Sequence, residues 1–433
     1  MKTAMNSAEL ILLPPLAAQR GPHGGLVMTQ KYMNGAAAFA RRWPGPVTSL
    51  VTLSSTPSSD MDHVEVIPGA FETELEVRPV GLDALAARIA NAAVVLAFLS
   101  PFEAPTAALC KRLGVPIVFT SEYTPKTERQ IVDADTRNPV LRLRRKLWIE
   151  QCERIRRRML RDCAGLQCNG TPTYDIYKDL SPRSLLFFDN RVPQAGLVSD
   201  AVFGAKLDRL RAGKPLRLVF GGRLIAMKGV LELPKVAAEL RQRNLPFTME
   251  IYGSGDLEKT LAARIAAMGL AGSVTLHGPL DFESGWLPTL REASDLFVCC
   301  HVQGDPSSTY SEVMSCGVPI IGYDNEALLG AIAQSGGGWA TPLQDPGALA
   351  DRIAILDKDR SDLVLAAKAA RHFGRSHMFE PTMDRRAAHL IEASRLASQG
   401  TGALRLAHEP RRAANAAETS AASVQAARRV RRG

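Results

Sequence analysis

HVQGDPSSTYSEVMSCGVPIIGY, from His301 to Tyr323, is the stretch on which the reading of the chain turns. The apolar run before it, LFVCC (Leu296 to Cys300), empties into a polar loop. A short helix pattern carrying Glu312 follows; Gly317-Val318-Pro319 stops it, and Ile320 opens the next buried strand. The loop therefore lies at the carboxyl end of one strand and close to another, where open parallel sheets bind ligands. Ser307, Ser308 and Thr309 offer hydroxyls and backbone N–H groups ahead of a helix start, a setting that attracts phosphate. Glu312, expected in the first helical turn, suits the helix dipole and can accept two hydroxyls from a ribose. The same residues also fit a plain cap, with Ser308 or Thr309 capping and Glu312 completing it. Upstream, LRLVFGG (Leu216 to Gly222) repeats the theme: an apolar run ends in Gly221-Gly222, followed by Arg223 and Lys228. Together the two strand ends imply a pocket for a phosphorylated, ribose-bearing ligand.

Outward from this pocket the chain divides into two strand-helix series. The later one has strands at Leu216 to Phe220, Phe247 to Gly253, Ser273 to Gly278, Leu296 to Cys300 and Val318 to Tyr323. The helix between its second and third strands puts Leu257, Leu261, Ile265 and Met268 on one face. The earlier series has apolar segments at Leu10 to Leu13, Val47 to Leu53, Val64 to Ile67, Val94 to Leu99, Pro116 to Thr120, Leu166 to Cys168 and Leu185 to Phe188, with helical patterns between most of them. Alternation of this kind predicts parallel sheets wrapped by helices. The polar, basic segment from Asp200 to Pro215 reads as an interdomain linker. The resulting division is a Rossmann-like domain over 1–199, a second over 200–380, a final helix over 381–398 and a basic, disordered tail over 399–433.

A chain of 433 residues with 46% hydrophobic content is long enough for two or three buried cores. Its seven cysteines are odd in number and fall inside apolar elements, which points to a reducing compartment rather than a disulfide framework. No apolar run is long enough to span a bilayer, so a cytoplasmic or peripheral protein is expected. The net charge of +9 is concentrated in RLRRKLWIEQCERIRRRMLR (Arg142 to Arg161) and in the tail. Nucleic acid is disfavoured as the partner, because no zinc finger, aromatic RNA-binding motif or helix-turn-helix pattern accompanies the charge. Leu143, Leu147, Ile149, Ile155 and Leu160 among the arginines, with Trp148, fit either an interfacial helix on anionic lipid or a packed helix with a solvated face.

LVFGGRLIAMKGVLEL, EIYGSGDLE, VTLHGPL, ASDLFVCC and SEVMSCGVPIIGY, in this order and spacing, resemble the C-terminal half of the retaining, family 4-like (group 1) glycosyltransferases of the GT-B fold. The resemblance covers about half the chain. It implies an α/β GT-B architecture, two doubly wound domains facing a cleft, with a C-terminal helix crossing back to the first domain. It implies that Arg223 and Lys228 bind the donor diphosphate and stabilise charge on the leaving oxygen, and that the base rests beside His277-Gly278-Pro279-Leu280, with Glu312 on the ribose. One departure stands out. Where the family carries a first glutamate eight positions before the second, this chain has Gly304, and the neighbouring Asp305 supplies a carboxylate one step out of register.

In the N-terminal half the resemblance places Gly24-Gly25 in a glycine loop facing the acceptor side of the cleft, though the pair also fits an ordinary turn. Glu122 stands where many relatives have a strand-end histidine, and could hydrogen-bond or deprotonate an acceptor hydroxyl. Asp133-Ala134-Asp135 has the spacing of a metal clamp but lies in an apparent loop, so no metal and no cofactor are expected. The implied activity is transfer of a hexose-type sugar from a UDP- or GDP-linked donor to a hydroxyl of a growing glycan or polyprenyl-diphosphate-linked acceptor. A sugar-nucleotide epimerase, or a binding subunit of a glycan-assembly complex if Gly304 marks lost catalysis, are the competing readings.

Overall fold

A computed structural model describes residues 8–55, 62–397 and 399. The basic tail predicted from residue 399 therefore lies almost entirely outside the described residues. Two sheets organise the rest. The first contains β1 (Glu9–Leu13), β2 (Ala17–Arg20), β3 (Leu26–Thr29), β4 (Val47–Leu53), β5 (His63–Val66), β6 (Glu74–Val77), β7 (Ala92–Phe98), β8 (Ile117–Ser121), β9 (Gly165–Asn169) and β10 (Ser184–Phe187). Their order is β10-β9-β8-β7-β1-β4-β2-β3-β5, with β6 also paired to β4. The central strands show why both faces must be covered. Ile11, Leu13, Val95 and Ala97 enter one apolar cluster, while the alternate residues Leu10, Leu12, Val94 and Leu96 enter another.

The second sheet contains β11 (Leu216–Gly221), β12 (Phe247–Tyr252), β13 (Val274–His277), β14 (Leu296–Cys299), β15 (Ile320–Tyr323) and β16 (Gly338–Thr341). Every neighbouring pair is parallel, and the order is β13-β12-β11-β14-β15-β16. The order of connection reverses between β11 and β14, so their carboxyl ends open a crevice at the switch point. That crevice receives both strand ends singled out in the sequence.

Three expectations are corrected. The first sheet is mixed rather than wholly parallel, because β2 and β3 form an antiparallel hairpin and β3 pairs antiparallel with β5. The segment Asp200 to Pro215 is not a linker coil: Asp200–Arg211 is a helix, and Phe203, Leu207 and Leu210, spaced four and three apart, bury a stripe in the second core. The chain actually crosses between the units at residues 188–199. Asp133 lies on the helix Pro125–Asp135, not in a loop, and its carboxylate is paired with Lys146 at 2.7 Å. The chain then returns: a helix over 379–397 carries Met383, Ala387, Leu390 and Ala393 into the apolar cluster of Leu10, Leu12 and Val94 on the first sheet.

Candidate donor and acceptor site

At the end of β11, Gly221 and Gly222 give way to Arg223 and a tight turn that ends in Lys228. The turn is held against β14 by Gly229, whose φ is +60° and whose missing Cβ would lie 1.8 Å from the Cys300 carbonyl oxygen. This close approach directs the Lys228 ammonium into the loop after β14. There it donates to Asp305 Oδ2 at 2.9 Å and reaches Ser307 Oγ at 3.5 Å. Lys228 is almost completely buried, whereas Arg223 is exposed and, among the described residues, its guanidinium has no hydrogen-bond or ion-pair partner. One cation is thus fixed, and the other is free to meet an incoming anion.

The helix Ser308–Ser315 starts beside this pair. Its cap position is Ser307, not Ser308 or Thr309, and no side chain caps it, which leaves the first amides of the helix directed at the loop. Glu312 is correspondingly displaced from its expected first turn into the second, because the helix begins earlier than a cap at Ser308 or Thr309 would start it. Glu312 is 1% exposed, and Arg191 Nε donates to its Oε1 at 2.7 Å while the guanidinium lies 4.0 Å from the centroid of Phe282. The Arg191 contact gives the carboxylate a fixed direction.

The N-terminal unit brings Glu122 and Tyr123, at the end of β8, to the same crevice. Asp305 and Arg223 both act electrostatically on Tyr123, and burial raises its hydroxyl far above the usual range. Glu122 accepts from Asn169 Nδ2 at 3.3 Å. Burial pushes the Glu122 carboxyl up, and the negative charge of Asp189 pushes it further. For Asp189 burial acts in the same direction, but Lys31, 2.6 Å away, outweighs it and holds that carboxyl below the usual range.

The structure thus gathers Arg223, Lys228, Asp305, Ser307, Glu312 and Glu122 around one crevice. The base-side residues lie at its flank: His277 is stacked on Tyr252 at 4.6 Å and bound to Glu250 Oε2 at 2.6 Å, with Gly278 and the half-exposed Leu280 just beyond. Gly24 and Gly25 are elsewhere in kind. They form the tip of the β2–β3 hairpin, where Gly25 N–H donates to Glu65 Oε1 at 3.0 Å, and no contact joins them to the residues above. Sequence reasoning missed Lys31, Asp189, Arg191, Tyr123 and Arg386. For Asp189 and Arg191 the available signal was FFDNR, charges immediately beyond the β10 strand end, the same position rule that exposed Arg223.

Two Rossmann-like units, a switch-point crevice lined by fixed cations and a returning C-terminal helix define the GT-B glycosyltransferase fold. Residues 206–373 match the family model described as glycosyl transferases group 1. Anabaena HepE, solved in complex with UDP, shares the fold with a TM-score of 0.60 at 14% identity, over 89% of this chain and 100% of that one. Among curated relatives, the amylovoran biosynthesis glycosyltransferase AmsK of Erwinia amylovora is 28% identical over 36% of this chain and 40% of its own length. The D-inositol 3-phosphate glycosyltransferase of Salinispora arenicola is 26% identical over 65% of this chain and 64% of its own. The chain therefore spans less than two thirds of either curated relative.

Proposed function

We propose that this protein transfers a hexose-type sugar from a nucleotide diphosphate donor to a hydroxyl of a growing, lipid-linked glycan. The observation that carries the reading is the placement of Lys228, Arg223 and the open start of the helix Ser308–Ser315 at the switch point of the second sheet, opposite Glu122. The diphosphate would lie on these donors, and the ribose hydroxyls on Glu312. HepE, solved with UDP and with UDP-glucose, favours a UDP-linked donor.

In the transfer, the bond between the sugar C1 and the diphosphate oxygen breaks as a bond from C1 to the acceptor oxygen forms. The positive charges of Arg223 and Lys228 lower the energy of the departing diphosphate, an effect worth about 10²–10³ in rate for a well-placed donor. Attack on the face the leaving group vacates retains the configuration, and the acceptor proton then passes to the leaving phosphate oxygen. Glu122 orients the acceptor hydroxyl. Asp305, fixed by Lys228, is directed at the donor sugar. The acceptor is drawn from a membrane surface by the helix Pro139–Asp162, which exposes Leu143, Leu147 and Trp148 among arginines on the cytoplasmic side. No helix among the described residues is long and apolar enough to cross a membrane.

The test is a panel of UDP- and GDP-sugars incubated with membrane extract, following nucleotide release and labelled glycolipid together. Release coupled to labelling, and its fall by about 10²-fold or more in Lys228→Ala with an unchanged circular dichroism spectrum, is the expected result. Tight nucleotide binding with no turnover for any donor would instead make the protein a binding subunit.

A further inference from the structure

Gly304 stands at the tip of the loop that carries Asp305, and the space above its α-carbon is already taken. A Cβ there would lie 2.4 Å from Glu326 Cγ and 2.8 Å from Glu326 Oε1. Glu326 opens the helix Glu326–Ser335 of the second unit, whose cap residue Asn325 donates to the His301 carbonyl at 3.2 Å, tying that helix to the start of the same loop. From this position the Glu326 carboxylate reaches the other unit. Its Oε1 accepts from the hydroxyls of Thr124 at 2.5 Å and Thr127 at 3.0 Å, and its Oε2 lies 3.5 Å from Lys126 Nζ. The loop backbone is bound to the same helix of the first unit: Gly304 N–H donates to Gln130 Oε1 at 3.2 Å, and Thr127 Oγ1 lies 3.3 Å from the Gly304 carbonyl oxygen. Two residues further, Pro306 packs on Gly170, and on the Glu326 helix Gly330 packs on Thr171.

We infer that Glu326 is a positioning residue, a latch that holds the 301–307 loop against the first unit so that Asp305 and Lys228 face Tyr123 and Glu122. Gly304 is the other half of the device, since only a residue without a side chain leaves room for the carboxylate. The contacts are made by two threonine hydroxyls and an ammonium on one unit and a single carboxylate on the other, so the latch closes and opens as one group. Its part in turnover rests on the transfer reaction proposed above; its part in holding the loop does not.

Hydrogen exchange on the full chain without ligand separates the two. Glu326→Ala should speed exchange in peptides covering 301–307 and 124–130 by about tenfold while β14 and β15 keep their protection. Thr124→Val with Thr127→Val should do the same, since it removes both hydroxyl donors to Glu326 Oε1. Glu326→Gln, which keeps the acceptor for the hydroxyls, should restore most of the protection. Unchanged exchange in Glu326→Ala overturns the latch. In turnover with UDP-glucose, Glu326→Ala should lower kcat by about tenfold and leave KM within about twofold. Faster exchange with unaltered kcat overturns the positioning role, whereas a wild-type protein that turns over no donor overturns the transfer reaction and leaves the latch to the exchange result.

Discussion

At the end of β8, Glu122 is held where burial and the charge of Asp189 both disfavour its ionised form, and this fixes the sign of its effects. A carboxyl whose folded value exceeds its unfolded one binds its proton more tightly in the fold. Stability is therefore lost as pH rises from the unfolded value, about 4.3, through the folded one. Glu122→Gln should accordingly raise the melting temperature at pH 7, with the gain vanishing below about pH 4. If the ionised carboxylate orients or deprotonates the acceptor, the same substitution should cost about 10²-fold in kcat/KM. It should also remove the acid limb of the pH profile, which in the wild type breaks above the ordinary glutamate range. A melting temperature that falls, or activity that is untouched, would place Glu122 outside the acceptor site. A stabilised and slowed variant is what a residue kept for chemistry predicts.

Among the elements, the helix Pro139–Asp162 shows how one arginine-rich segment serves two surroundings. Its inner face buries Ile149, Cys152, Met159 and Leu160; Arg156 is buried against Glu128, and Glu153 accepts from the Tyr177 hydroxyl at 2.6 Å. Its outer face leaves Leu143 61% and Leu147 63% exposed beside Arg144 and Arg145. Leu143→Glu with Leu147→Glu should weaken sedimentation with phosphatidylglycerol vesicles by tenfold or more, since each buried leucine contributes about 1.5–3 kcal/mol. Thermal stability should not change, because neither side chain packs in the fold; equal vesicle binding by wild type and variant would end the membrane assignment. The central strands were visible in the sequence as apolar runs; for this helix the sequence left an interfacial and a packed face as alternatives, and it did not separate the buried Ile149 and Leu160 from the exposed Leu143 and Leu147. The four-residue strands β2, β3, β6 and β16 were not visible, for none carries a run of more than three apolar residues, and β16 begins on the last of three consecutive glycines. The helix Asp200–Arg211 was missed because three apolar residues on one stripe are diluted by charges around the rest of its circumference. Site residues were legible where a strand end supplied them. Pairings such as Lys228 with Asp305, 77 positions apart, and Arg191 with Glu312, 121 apart, depend on tertiary geometry that no local pattern encodes.

Over the whole molecule, the chain order and the spatial order of the two units disagree in one place, and the disagreement ties them together. The core of the second unit is built from residues between Phe188 and Met378. The helix at 379–397 leaves it and completes the first: Leu390 is fully buried with Leu10, Leu12, Val94 and Val118, Arg42 binds Asp384 at 2.5 Å, and Arg386 donates to Gln167 Oε1 at 2.9 Å. The last helix is therefore part of the floor on which β8 and β9 present Glu122 and Asn169. Leu390→Ala should cost about 2–5 kcal/mol, the usual range for emptying a buried leucine site, and the loss should fall on the unit most distant in sequence. In hydrogen exchange, β1, β7 and β8 should lose protection while β11, β14 and β15 keep theirs. If both sheets lose protection equally, the units unfold as one cooperative body. If only the second does, the helix belongs energetically to the unit it leaves, and the floor of the acceptor side is held by the first sheet alone.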